Sequence, residues 1–135
     1  MRRIILLMLT LFPVITLAEL QIDNAWIKNL PPTVPVRAGY MEIHNPGTEV
    51  ISIVSVSSEA FSSIDVHETV MKDGMMRMEH VPVLTIQPGA RVTLEPGGLH
   101  MMMHPLKPTI VGESIPVKLE MNDGSQQTLS FSVRP

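Results

Sequence analysis

From Leu20 onward, apolar and polar residues alternate in short runs, each broken by a turn signal. Ser114–Met121 shows it most cleanly. Ile115, Val117, Leu119 and Met121 fall on one side, Lys118 and Glu120 on the other. A period of two is that of a strand with one face on a core. Leu20 to Lys28 and Ala38 to His44 read as strands around a proline-rich loop, Leu30 to Pro35. Val50 to Val56 is a β-branched run suited to a buried strand. Ile64 to Val70 alternates, Lys72-Asp73-Gly74 turns, and Met75 to His80 returns. Two short strands flank Pro88-Gly89, and His100 to Met103 follows the turn Pro96-Gly97-Gly98. After Asn122-Asp123-Gly124, Leu129, Phe131 and Val133 mark a last strand. One helical turn is expected at Glu59-Ala60-Phe61. Strands spaced roughly eight to twelve residues apart, with Gly, Pro and Asp between them, predict an all-β antiparallel sandwich or barrel.

The start of the chain breaks this texture. Arg2 and Arg3 precede an apolar run, Ile4 to Ile15, too short to span a bilayer comfortably. Thr16-Leu17-Ala18 then supplies small residues for a signal peptidase. The pattern predicts a signal peptide over 1–18, cleaved after Ala18, and export to the periplasm. Residues 19–135 make one domain's length, and no segment in them is long and apolar enough for a membrane span.

Charge and composition narrow the partners. Loss of Arg2 and Arg3 takes Lys+Arg from 10 to 8 against 13 acidic residues, a formal charge of −5. That disfavours nucleic acid and anionic membranes. The chain has no cysteine. It therefore offers no disulfide and no acceptor for a lipoprotein lipid after Ala18, and its stability must come from an apolar core. Its sulfur is all thioether, which survives an oxidising compartment better than a free thiol.

That sulfur is not scattered. Met71, Met75, Met76 and Met78 surround one hairpin, and Met101, Met102 and Met103 lie between His100 and His104. A two-residue turn at Asp73-Gly74 would pair Lys72 with Met75, Thr69 with Met78 and His67 with His80. A turn at Lys72-Asp73 would set His67 opposite Met78 instead. Either register keeps His67 and Met78 on one face, since side chains two apart share a face and a one-residue slip would separate them. His100 and Met102 are also two apart. His67, Met78, His100 and Met102 are thus two imidazole–thioether pairs at same-face spacing. Soft, uncharged thioether with borderline imidazole suits Cu(I) far better than Zn(II), Mg(II) or Ca(II).

Each donor has a plainer role open to it. Methionine fills irregular gaps in cores, and a half-buried histidine often serves only as a hydrogen-bonding group. His44, alone on its strand, is expected to be structural. Met101 is expected to point away from His100 and Met102, into the core. Met71, Met103, His80 and His104 are second-rank candidates, as auxiliary soft donors.

The four donors carry a resemblance. His67, ten residues, Met78, twenty-one residues, His100, one residue, Met102 spells H-x10-M-x21-H-x-M. This resembles the signature of the periplasmic copper chaperones called PCu(A)C. Asn24-Ala25-Trp26, Ala38-Gly39-Tyr40-Met41 with Asn45, His67-Glu68-Thr69, Arg77-Met78 and Pro96-Gly97-Gly98 are similar to that family's landmarks. The resemblance implies a cupredoxin-like β-sandwich or barrel with one Cu(I) per monomer. It implies delivery of copper in the periplasm, notably to the binuclear CuA centre in subunit II of cytochrome c oxidase, with Sco-type proteins as possible partners. Some relatives carry a His/Met-rich tail that binds Cu(II). None follows Val133 here, so a Cu(II) role is not expected.

Other classes fare less well. A blue-copper electron carrier needs a cysteine thiolate. Gly-x-Ser-x-Gly and H-E-x-x-H are absent, and Glu68 would point away from His67, so an enzyme is not expected. The runner-up is an immunoglobulin-like binding or adhesion module without metal.

Overall fold

The computed structural model describes Thr10 and residues 19–135; the signal peptide expected over 1–18 lies outside the described residues, Thr10 apart. Ten strands follow in order: β1 (Gln21–Lys28), β2 (Arg37–His44), β3 (Ile51–Ser57), β4 (Phe61–Lys72), β5 (Met75–His80), β6 (Leu84–Ile86), β7 (Arg91–Leu94), β8 (Leu99–Pro105), β9 (Ser114–Met121) and β10 (Gln126–Arg134). The expected all-β, cupredoxin-like class is what forms. Neighbours run β5-β4-β8-β2-β1-β10-β9-β3-β6, and a further pairing of β3 with β4 closes seven of these strands into a barrel.

Closure explains the core. Each barrel strand turns alternate residues inward, which is why period two ran through the sequence. Ile27, Met41, Ile43, Ile64, Val66, Leu94, Met101, Met103, Val117, Leu119 and Phe131 are among the residues packed inside. β2 shares one edge between two partners: Met41–His44 pair with β7 and Arg37–Gly39 with β8. β7 and β8 thus read as one strand interrupted by the turn around Pro96-Gly97-Gly98. Gly98 N–H donates to the Glu95 carbonyl at 3.1 Å and Glu95 N–H to the Leu99 carbonyl at 2.9 Å.

Gly39 is needed where it stands. A Cβ there would come within 2.8 Å of Met101 Cε and of Met103 Sδ. Arg37, buried beside it, ties down the proline-rich loop. Its Nε donates to Thr109 Oγ1 at 2.8 Å, and its Nη1 to the Val34 and Val36 carbonyls at 2.9 Å.

Two expectations need correction. The strands are not all antiparallel, because β1 runs parallel to β10, with Trp26 opposite Ser132. Glu59 and Ala60 form a hydrogen-bonded turn rather than a helical one, Phe61 N–H donating to the Ser58 carbonyl at 3.2 Å, and Phe61 already begins β4. The Phe61 side chain is buried, and a strand starting there places it in the core where one helical turn would not.

Candidate metal centre

β4 outruns the barrel and carries the hairpin with it. The turn settles at Asp73-Gly74, both at positive φ (53° and 75°). This is the left-handed pair a type I′ hairpin turn demands, and Asp and Gly tolerate it. The register is therefore the first of the two expected: His67 faces His80, Thr69 faces Met78, and Met71 faces Met76. On its other edge β4 pairs with β8, where His67 faces His100 and Asp65 faces Met102.

His67 is consequently the middle of three imidazoles laid across the sheet. Its ring centroid lies 5.6 Å from that of His80 and 6.1 Å from that of His100. Met78 is two residue pairs nearer the hairpin tip, and Met102 two pairs nearer the barrel. All four expected donors share one face. Met78, His100 and Met102 line one recess of about 230 Å³, walled also by Thr69, Ala38 and Tyr40. His67 stands beside it, against His100. A larger recess, about 720 Å³, bordered by Ser57–Ala60, Pro116, Lys118 and Thr128, holds neither histidine nor methionine.

The two inner imidazoles differ in what holds them. His100 Nδ1 lies 3.0 Å from the Gly98 carbonyl oxygen. A carbonyl can only accept, so Nδ1 carries the hydrogen, and in the neutral ring the lone pair open to a ligand is that of Nε2. Such a fixed outer hydrogen bond is the usual way to orient a metal-binding histidine. His67 Nδ1 is buried with no hydrogen-bond partner. A buried polar atom left so is costly unless something bonds to it. The His67 pKa is held below its ordinary 6.5, chiefly by desolvation, then by the neighbouring His100 and His80; Asp65 opposes them and His104 adds a little.

The remaining candidates divide. Met101 and Met103 are fully buried, facing Val66 and Ile64 inside the barrel. Met101 is where it was expected, but Met103 is withdrawn as a donor, because strand alternation turns it from His104 into the core. His104 keeps the face of His100 and Met102, two pairs beyond Met102, opposite Ser63. His80 sits over Asp65, Nε2 to Oδ1 at 3.8 Å. His44 Nδ1 lies 2.9 Å from Gln21 Oε1, away from the site, in keeping with a structural role. Among the described residues no group of three or more His, Cys, Asp or Glu side chains converges on one ion position. The soft donors beside His100 in the recess are the thioethers of Met78 and Met102.

Tyr40 belongs to the site and had no role in the sequence-based expectation. It is nearly buried, lines the recess, and packs on Trp26 with centroids 4.8 Å apart; Arg134 lies over that indole, 5.5 Å from its centroid. Burial raises the Tyr40 phenol pKa. The signal was only its place two residues from Ala38 on one strand; the pairing with β8 that brings it to the recess is long-range.

This closed β-barrel has the fold of PCuAC domains. The structure matches the copper-bound PCuAC domain of PmoF2 with a TM-score of 0.73 at 20% identity, over 88% of this chain and 96% of that one. It matches the solution structure of CuI-DR1885 from Deinococcus radiodurans with a TM-score of 0.69 at 29% identity, over 82% and 75%. The resemblance drawn from the motif is borne out in the fold. The family described as "Putative lipoprotein LpqE-like" matches residues 20–133, and the chain belongs to it. A relative from Leifsonia xyli subsp. xyli, "Putative lipoprotein Lxx21020", is 33% identical over 116 residues, 84% of this chain and 69% of that protein.

Proposed function

We propose that this protein is an exported copper chaperone that carries one Cu(I) ion on His67, Met78, His100 and Met102. One observation carries the proposal: two imidazoles and two thioethers, from three strands, share one face around His67 and the adjoining recess. The lone pair of His100 Nε2 and the partnerless His67 Nδ1 suit a cation that accepts soft and borderline donors. The ligands are all neutral, so the bound ion keeps its single positive charge. An acceptor offering thiolate can therefore draw it off by stepwise ligand exchange. Kinship with the copper-bound PmoF2 domain and CuI-DR1885 supports the cargo, and the lipoprotein descriptions of the relatives support export to the periplasm.

The protein acts as a carrier and not as an enzyme. Its acceptor is the CuA site of cytochrome c oxidase subunit II, with a Sco-type protein as a cooperating partner, and nucleic acid is no part of its work. The test is titration with Cu(I) against a competing chelator, followed by X-ray absorption. One equivalent bound, with both sulfur and nitrogen neighbours, is expected. No uptake of copper would return the protein to the alternative, a metal-free immunoglobulin-like binding module.

A further inference from the structure

The hairpin carries sulfur that the four-donor site does not use. Met71 and Met76 face each other across β4 and β5, and they are 73% and 69% exposed. Because the turn has two residues, Lys72 and Met75 beside it form the hydrogen-bonded pair. Met71 and Met76 are the next pair, of the non-hydrogen-bonded kind, where Cα atoms stand about 4.5 Å apart and side chains come closest. Met78 follows two residues along β5, on the same face and at the lip of the recess shared with His100 and Met102. Met75 projects from the opposite face. A facing pair of thioethers near the hairpin tip, with Met78 next on the same face, thus leads toward the inner donors.

Core packing cannot account for Met71 and Met76. A docking patch could use their flexible apolar surface, and replacement by leucine, which keeps the area and removes the sulfur, separates the two uses.

We propose that Met71 and Met76 form an outer landing site for Cu(I), from which Met78 passes the ion inward. This rests on the Cu(I)-carrier function proposed above. Two thioether sulfurs hold the ion first. The Met78 sulfur then bonds to it as the Met71 bond breaks, and His100 Nε2 bonds to it as the Met76 bond breaks. Copper stays Cu(I) throughout, and no proton moves, since thioether and neutral imidazole lone pairs are the only donors. Holding the ion beside its destination raises its local concentration there and speeds loading.

The test uses the full chain labelled with ¹³C at methionine methyls, titrated anaerobically with Cu(I) alone. The first equivalent is expected to shift Met78 and Met102. A weaker second is expected to shift Met71 and Met76 and to leave Met75 unmoved. In the double variant Met71→Leu/Met76→Leu, which keeps the apolar surface, the second equivalent should vanish. Affinity for the first should stay within about twofold, because the removed sulfurs are not its ligands. Its uptake from a chelator should slow about tenfold. If Met78 and Met102 respond while Met71 and Met76 stay silent, the landing site is wrong and the carrier function stands. If no methionine methyl responds, both fall. Unchanged uptake in the leucine variant also overturns the landing site and leaves a docking patch as the explanation of these side chains.

Discussion

His67 and His100 face each other across β4 and β8, ring centroids 6.1 Å apart and interplanar angle 25°. No turn links these strands directly, so this contact is created by the barrel. Removing either imidazole should cost Cu(I) affinity more than the roughly 10–100-fold typical of losing an outer hydrogen-bond partner of a metal ligand. Chelator competition with His67→Ala and His100→Ala measures it. Affinity equal to wild type in either variant would remove that residue from the site.

Adjacent methionines should behave in opposite ways. Met101 is buried in the core and Met102 lines the recess. Met101→Ala should lose about 2–5 kcal/mol of unfolding free energy, as large-to-small core changes do. Met102→Ala should stay within about 1 kcal/mol of wild type, as partly exposed positions do, yet bind Cu(I) much more weakly. Urea unfolding and copper titration of the two variants decide the matter; matching profiles would contradict the assignment of faces.

The depressed His67 pKa fixes the direction of a pH effect. Below 6.5 the unfolded chain protonates this imidazole while the folded chain still resists, so acid favours unfolding. The contribution to stability is present above 6.5 and is lost as pH falls through the folded-state value. For copper the same shift is helpful, since a proton competes for His67 only below 6.5. Imidazole NMR of the metal-free protein between about pH 4 and 8 should give a His67 midpoint below its ordinary value. A midpoint at or above 6.5 would contradict this.

Gly39→Ala should overpack the seam between β2 and β8. The new Cβ would meet Met101 Cε and Met103 Sδ, each at 2.8 Å. Met101 Cε ends its side chain and Met103 Sδ is one atom from the end of its own, so both shift at a cost of about 1–3 kcal/mol. Met103→Ala should cost less in the Gly39→Ala background than alone, because the two substitutions share one space. Thermal melts of the single and double variants test this, and strict additivity would show that the clash is relieved elsewhere.

Much of the architecture was legible because it is local. Ile115, Val117 and Leu119 announced their strand by alternation. Asp73-Gly74 chose the hairpin register and so placed Met78 relative to His67. The spacing of His100 and Met102 put both on one face and Met101 on the other. Carried one step further, the same alternation turns Met103 into the core, against its place among the candidate donors. What escaped was non-local. The parallel contact of Trp26 with Ser132, the facing of His67 and His100, and Tyr40 as a wall of the recess all depend on strands far apart in the chain. Alternation gives faces, and it does not say which strand lies beside which.

The parallel pairing of β1 with β10 has a consequence in time. Trp26, near the start of the barrel, finds its sheet partner only at Ser132. The ring of strands cannot be completed until almost the whole chain is available. Folds dominated by such distant pairings are slow, reaching their native state in roughly milliseconds to seconds. For a chain threaded through a membrane before it folds, that delay is protective. The last strand to emerge is the one that locks the first, so a partly exported chain has no finished barrel to jam the passage.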